Sequence, residues 1–422
     1  MAPFLSPPKI QEEERQQRLA LLQGKLKDRH IGGLLLGSTP SLQYFTGLVW
    51  RSSERFLGAL VTPSELIYIV PGFERSRVES LPHLSGEIRG WEEEENSAAL
   101  IASLLPAGAS LAVDDAIPLF AYNLLRQEIA PERLLDGGPL IREQRICKSE
   151  NEIAIIQYAM NLTLEVHRRA HAMIKPGVAA SEVVRFIGEQ HRALGARGGS
   201  TFCIVSFGAA TALPHGADGE QFYQPGDVVL VDTGCRIDGY HSDLTRTYML
   251  DEPSKEFAQI WAIEREAQQA VFDAARLGVP CSALDDAARA VLVRHGLGPD
   301  YKLPGLPHRA GHGLGLEIHE APYIVRANPL PLTEGMCFSN EPMIVVPRAV
   351  RRPSGGPYLH DGKWSEMVHP ALEKPCGTVC LRLFSCPASR RVRLSCYGTR
   401  TAAPLRRPER RSASASFALS SG

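Results

Sequence analysis

Residues 228–250, VVLVDTGCRIDGYHSDLTRTYML, constrain this chain more than any other segment. An apolar run with the character of a strand ends in Asp232, where a carboxylate is normally disfavoured. Asp238-Gly239 is a hairpin turn signal. With those two residues as the loop, Asp232 faces Thr245 and Asp243 faces Gly234. Strand alternation then puts Asp232 and Asp243 on one face as diagonal neighbours. Two carboxylates so placed repel each other unless a cation lies between them. Taken singly, Asp232 can also be read as a solvated strand end, and Asp243 as a turn cap.

Two further segments carry chemistry. LPHRAGHGLGLEIHEAP, residues 306–322, holds His308, His312 and His319. His308 and His312 are four apart, but Gly311 and Gly313 argue against a helix, and the Glu of an HExxH zinc motif is absent. Three histidines beside glycines that allow close backbone approach favour a metal or proton-transfer site. In MCFSNEPMIVV, residues 336–346, Glu341 interrupts a second apolar strand. Two Asp, a His and a Glu suit a divalent cation such as Mn²⁺, Co²⁺ or Zn²⁺. The set holds no Cys, unlike a structural zinc site.

The chain's organisation points to two folded parts and a tail. Residues 9–28 predict an amphipathic helix, and IGGLLLG and FLGALVTPSELIYIVPG predict buried strands. Strands and helices alternate onward, which makes 1–145 a small α/β domain. Long helices near 149–175, 181–194, 254–277 and 282–296 alternate with strands in an α+β domain over 146–347. From 348 to 422 the chain is rich in Arg, Ser, Pro and Cys without periodicity, and an irregular tail is expected there.

Charge divides at the same point. The whole chain carries −1, yet residues 348–422 hold twelve Arg and two Lys against four acids, a net +10. The acidic remainder argues against nucleic-acid binding. No run of about 18 apolar residues suggests a membrane span. The N-terminus lacks a basic start followed by an apolar stretch, so the expected location is the cytoplasm, with reduced cysteines.

These residues resemble the pita-bread metallopeptidases, the family of Xaa-Pro dipeptidase (prolidase), Xaa-Pro aminopeptidase and methionine aminopeptidase. The resemblance covers residues 10–347. It makes Asp232, Asp243, His312 and Glu341 the metal ligands, and their separations of 11, 69 and 29 residues are those of the proline-specific branch. His215 in LPHG, His308 and His319 match that branch's active-site histidines. An N-terminal α/β domain also fits that branch. The resemblance implies two divalent cations, Mn²⁺ first with Co²⁺ or Zn²⁺ as alternatives, and a homodimer. It implies that a hydroxide bridging the cations attacks the Xaa-Pro bond of dipeptides or short peptides. Glu341 would be general base, His308 and His319 would polarise the carbonyl and oxyanion, and His215 would sit near the leaving nitrogen. The alternatives are a metal-independent amidohydrolase like creatinase, which has lost the ligands retained here, and a non-catalytic binding protein.

Two departures stand out. Prolidases resemble HExPR after the second His, with that Arg on the dipeptide's carboxylate. Here Tyr323 takes its place, and Arg326, three residues on, offers a substitute. The family's last motif, RxED with a second bridging Glu, is missing. Read one nucleotide late, the codons of 348–369 permit a string containing RLED, its Glu 14 residues beyond Glu341. A one-nucleotide insertion near Pro347 would therefore explain the basic tail. The chain as written is expected to hold at most one cation tightly and to be weakly active.

Overall fold

The computed structural model describes residues 7–213 and 217–348, and beyond them the backbone of three strands, 364–368, 378–383 and 392–396. Strands β1 (Gly33–Leu36), β2 (Gly58–Val61), β3 (Leu66–Pro71), β4 (Glu87–Trp91), β5 (Leu111–Val113) and β6 (Leu134–Asp136) form one sheet in the order β4-β3-β2-β1-β5-β6. β1, β2 and β3 pair antiparallel, and the outer pairings are parallel. The helices between and around them are α1 (Glu12–Asp28), α2 (Pro40–Thr46), α3 (Arg75–Glu79), α4 (Ser97–Ser103), α5 (Leu119–Glu128) and α6 (Gly138–Arg145). The sequence GLLL of β1 has no polar position because both of its faces are covered. Leu34 and Leu36 point to a core shared with Leu22 and Leu26 of α1. Leu35 points the other way, to Ile101 of α4 and Leu125 of α5.

The second part begins with α7 (Glu150–Met173), started by a capping box in which Ser149 and Glu152 satisfy each other's backbone N–H. Glu152 also pairs with Arg18 of α1 at 3.2 Å and accepts a hydrogen bond from the Tyr240 hydroxyl at 2.9 Å. One helix start thus ties the first sheet's helices to the second part. α8 (Ala180–Ala193) follows, then β7 (Ser200–Phe207), β8 (Val228–Ile237), β9 (Tyr240–His241) and β10 (Leu244–Met249), with β8 central. α7 and α8 cover one face of this sheet through Val166, Ala170, Val183 and Ile187 against Val205, Val229 and Val231.

A similar arrangement repeats with α9 (Lys255–Ala274) and α10 (Cys281–Arg294), which pack on β11 (Gly311–Gly313), β12 (Glu320–Ile324), β13 (Cys337–Ser339) and β14 (Ile344–Arg348). Beyond these, β14 pairs with β15 (Trp364–Val368), while β13 pairs with β16 (Thr378–Leu383), which pairs in turn with β17 (Val392–Cys396). The expectation of a wholly irregular tail is therefore corrected. β13 and β14 present unpaired backbone groups that any extended segment can satisfy, and TVCLRL and WSEMV have strand character. Cys147, Cys203, Cys235 and Cys281 are free thiols, as expected, but Cys337 is disulfide-bonded. No helix among the described residues is long and apolar enough to cross a membrane.

Candidate metal centre

The Asp-Gly turn sets the geometry. Asp238 and Gly239 both have positive φ, 46° and 92°, which matches the right-handed twist of a two-residue hairpin. The register follows: Ile237 pairs with Tyr240, Arg236 with His241, Thr233 with Leu244 and Asp232 with Thr245. On β8, Val229 and Val231 point to α7 and α8, so Asp232, one residue further, points to the opposite face. There the Thr245 hydroxyl donates to Asp232 Oδ1 at 2.8 Å. Ser242 and Asp243 interrupt the ladder between β9 and β10, which frees the Asp243 carboxylate from strand alternation.

Asp243 is held from behind by α7. Thr163 and His167 are one helical turn apart and therefore share a face. The Thr163 hydroxyl bonds that of Ser242 at 2.7 Å, and His167 Nε2 donates to the Leu244 carbonyl at 2.9 Å. Both neighbours of Asp243 are thereby fixed. Burial and the nearby Arg246 charge hold His167 neutral, its pKa down at about 3.

The second half of the site comes from β11 and β13. Gly311 and Gly313 are required by close approach: a Cβ on Gly311 would lie 2.1 Å from the Ser339 carbonyl oxygen, and one on Gly313 2.3 Å from that of Ala321. Between them stands the buried His312. Its Nδ1–H donates to the Gly313 carbonyl at 3.0 Å, so Nε2 faces the carboxylates, 3.0 Å from Glu341 Oε1 and 3.4 Å from Asp243 Oδ2. Ser339 Oγ accepts from the His312 backbone N–H and donates to Glu341 Oε1, both at 2.9 Å. Asp243, His312 and Glu341 can each offer a ligand atom within 4.8 Å of the others. His319 packs edge-on against His312, with ring centroids 4.2 Å apart. His308 donates from Nδ1 to the Arg309 carbonyl at 2.6 Å, leaving Nε2 as its free nitrogen. His215 lies outside the described residues.

The cluster is electrostatically crowded without a cation. Burial and the Asp243 charge push the Asp232 carboxyl well above the usual carboxylate range, with Glu341 adding to the effect. Burial raises Asp243 too, opposed by its bond from His312. For His312 burial acts downward, but the bonds and charges of Asp243 and Glu341 outweigh it and lift the imidazolium to about 10. A divalent cation would relieve all three effects, and an all-oxygen and imidazole donor set suits one.

Next to the cluster, Glu320 pairs with Arg145 at 2.6 Å and Lys148 at 2.7 Å. A cavity of about 300 Å³ opens beside it, lined in part by Arg142, Arg145, His319 and Tyr323. Arg326 does not enter it. Its guanidinium pairs with Asp286 and Asp300 on the surface, which corrects the expectation that it replaces the missing Arg. Sequence reasoning missed Ser339, Thr163 and His167. Thr245 had a signal, since the hairpin register already placed it opposite Asp232.

Comparison with known proteins agrees with this architecture. Residues 18–147 match the Creatinase/Prolidase N-terminal domain, and residues 154–368 match Metallopeptidase family M24. A protein described as "Probable dipeptidase PepE" from Mycobacterium bovis is 34% identical over 342 residues, 78% of this chain and 88% of the relative. Among solved structures, dipeptidase PepE from Mycobacterium ulcerans superposes with TM-score 0.76 at 29% identity, covering 88% of this chain and 94% of that one. A recombinant prolidase from Thermococcus sibiricus gives 0.72 at 26% identity, covering 87% and 94%. The fold is the pita-bread fold preceded by a creatinase-type N-terminal domain, and the chain belongs to metallopeptidase family M24.

Proposed function

We propose that this chain is a metal-dependent exopeptidase that hydrolyses the Xaa-Pro bond of dipeptides or short peptides. The observation that carries the reading is the convergence of Asp243, His312 and Glu341 within 4.8 Å, with the strained Asp232 carboxyl against them. Asp232, Asp243, His312 and Glu341 would hold the cation. Bound there, it supplies Lewis-acid polarisation and an activated water. Glu341, its Oε1 held by the Ser339 hydroxyl, would act as the general base. His319 and His308 would hold the substrate carbonyl and the developing oxyanion, with His215 near the leaving nitrogen. His312, fixed in its Nδ1–H tautomer by Gly313, keeps Nε2 as a ligand atom.

Proline specificity draws support from the likeness to a solved prolidase, and action on dipeptides from the likeness to a relative described as a dipeptidase. An Xaa-Pro bond has no N–H for a peptidase to engage, which calls for dedicated recognition. Mn²⁺ as the cation and a homodimeric assembly complete the proposal. The tail is part of it too. Without a second bridging Glu, this 422-residue chain should hold at most one cation tightly, and the basic tail reflects an inserted nucleotide near codon 347. The test is hydrolysis of Ala-Pro and Ala-Pro-Ala with Mn²⁺, alongside metal analysis, on this chain and on one restored to the shifted frame after residue 347. The restored chain should cleave at least one of the two peptides and lose that activity with chelator. Cleavage of creatine but neither peptide would establish the metal-independent alternative instead. Two tight cations and equal turnover in both chains would refute the reading of the tail.

A further inference from the structure

We infer that Gln268 of α9 is a positioning residue for Glu341: it clamps Asn340, the residue before Glu341, and so fixes the backbone from which that carboxylate reaches the cluster. The inference rests on the reading of Glu341 as a metal ligand.

The two carboxylates that face His312 Nε2, those of Asp243 and Glu341, both stand at breaks in a ladder. Ser242 and Asp243 lie between β9 and β10, and residues 340–343 lie between β13 and β14. Backbone groups at such a break lose their strand partners, and buried ones need others. Pro342 has no N–H to place. The Glu341 N–H donates to the Ala310 carbonyl at 2.9 Å, and the Met343 N–H to the Glu341 carbonyl at 2.8 Å. The Asn340 carbonyl is met from α9, where Gln268 Nε2 donates to it at 3.0 Å. Asn340 Nδ2 donates back to the Gln268 carbonyl at 2.9 Å. Both residues are buried. The Arg265 guanidinium donates to Gln268 Oε1, which fixes the amide with its nitrogen towards Asn340.

α9 thus repeats for Glu341 what α7 does for Asp243. The buried stripe of α9 holds Ile263, Glu264, Ala267, Gln268 and Val271, and that of α7 includes Leu162, Thr163, Val166, His167 and Ala170. In each stripe two polar residues four apart share one face and interrupt an apolar pattern. Thr163 and His167 meet Ser242 and Leu244 on either side of Asp243. Gln268 meets Asn340, and one turn earlier the Ile344 N–H favours the charged form of Glu264, which burial opposes. Polar side chains in a helix–sheet interface cost stability unless they are bonded, so packing alone does not account for them. The broken ladders do. Ser339 holds the tip of Glu341 at Oε1 and Gln268 holds its base, so the side chain is fixed at both ends.

The test is Mn²⁺ titration of the metal-free 422-residue chain by calorimetry, with thermal melts of the same samples. Gln268→Met keeps length and helix propensity but cannot donate. It should weaken Mn²⁺ binding by about tenfold or more, the effect typical of a group that orients a metal ligand. Glu341→Gln should itself bind Mn²⁺ about tenfold or more weakly than the wild type. In that background Gln268→Met should change the affinity by less than about twofold, while it lowers the melting temperature in both backgrounds. Val271→Ala, a packing loss on the same stripe, should lower the melting temperature and leave the affinity within about twofold of the wild type. Asn340→Ala removes the return bond and should behave as Gln268→Met does, which keeps the test decisive if the methionine variant does not fold. Affinity unchanged by these clamp variants, weakened equally in both backgrounds, or weakened as much by Val271→Ala would overturn the role of Gln268 and leave the metal centre standing. No Mn²⁺ binding by the wild type, or full affinity in Glu341→Gln, would overturn the ligand assignment and this inference with it.

Discussion

Cation binding at this cluster should expel protons, because two of its ligands hold them in the metal-free protein. In the metal-free protein His312 is an imidazolium held at about 10 by Asp243 and Glu341, and Asp232 keeps its proton well above the usual carboxylate range. The imidazolium has no lone pair to give a cation, and a protonated carboxyl binds one far more weakly than a carboxylate does. At about pH 7.5 His312 must give up one proton, against a gap of roughly 2.5 pH units, which costs about 3 kcal/mol of intrinsic affinity. Asp232 contributes up to one more. Mn²⁺ titrated into metal-free protein should therefore release between one and two protons per cation. The count is read by calorimetry in buffers of different ionisation enthalpy at one pH. Apparent affinity should rise about tenfold per pH unit for each proton, or at least about 100-fold between pH 6.5 and 8.5. Replacing His312 with Ala should remove about one proton from the count. Tight binding with no proton release and no pH dependence would refute the assignment of these residues as ligands.

The same groups set the stability of the metal-free protein. His312 is raised above its unfolded value of about 6.5 and Asp232 above about 3.9, so both bind protons more tightly when folded, and their stabilisation is lost as pH climbs through the raised values. His167, near 3, and His191 and His241, near 4, act oppositely and destabilise as pH falls below about 6.5. Thermal melts of the metal-free chain should therefore peak near pH 6.5, and a flat profile to pH 9.5 would contradict this. Asp232→Asn or Glu341→Gln should lower turnover of the repaired enzyme by about 10²-fold or more with the fold kept, as circular dichroism would check. Glu320→Gln leaves Arg145 and Lys148 buried without their shared anion and should cost about 3–5 kcal/mol in denaturant unfolding.

Much of this site could be read in the sequence, for identifiable reasons. Asp238-Gly239 admits few turn types, so the register of β8 against β9 and β10 followed from two residues. That register placed Thr245 beside Asp232 and both acids on one side. Gly311 and Gly313 were legible as points of close approach, since nothing larger fits against Ser339 and Ala321. What stayed hidden depends on partners far along the chain. Thr163 and His167 reach Ser242 and Leu244 across more than 70 residues, and no local pattern marks them. Arg326 looked available because sequence distance does not reveal Asp286 and Asp300. The tail misled for another reason: its strands form on edges that β13 and β14 provide, so composition there says little about pairing.

The placement of rigid elements follows from the cluster's own instability. Asp232, Asp243 and Glu341 converge on His312, and the metal-free state tolerates them only by retaining protons. Such groups would swing apart into solvent if their backbones were free to move. Each is instead fixed from the side away from the cleft. Thr245 holds Asp232, Ser339 holds both His312 and Glu341, and α7 holds the residues on either side of Asp243. α7 is in turn anchored at its start by Glu152 to Arg18 and Tyr240, so part of the cost of crowding is carried by the N-terminal domain. A cation that binds the folded cluster and not the unfolded chain stabilises this whole chain of supports by mass action. Removing the His167 bond leaves the Leu244 carbonyl unsatisfied in a buried site, a loss of about 1–3 kcal/mol, and His167→Leu should weaken Mn²⁺ binding as well as lower the melting temperature. His167→Gln, which can still donate, should recover the affinity more fully than the stability. If the leucine variant melted lower yet bound Mn²⁺ as the wild type does, α7 would be a packing element and not a support of the site.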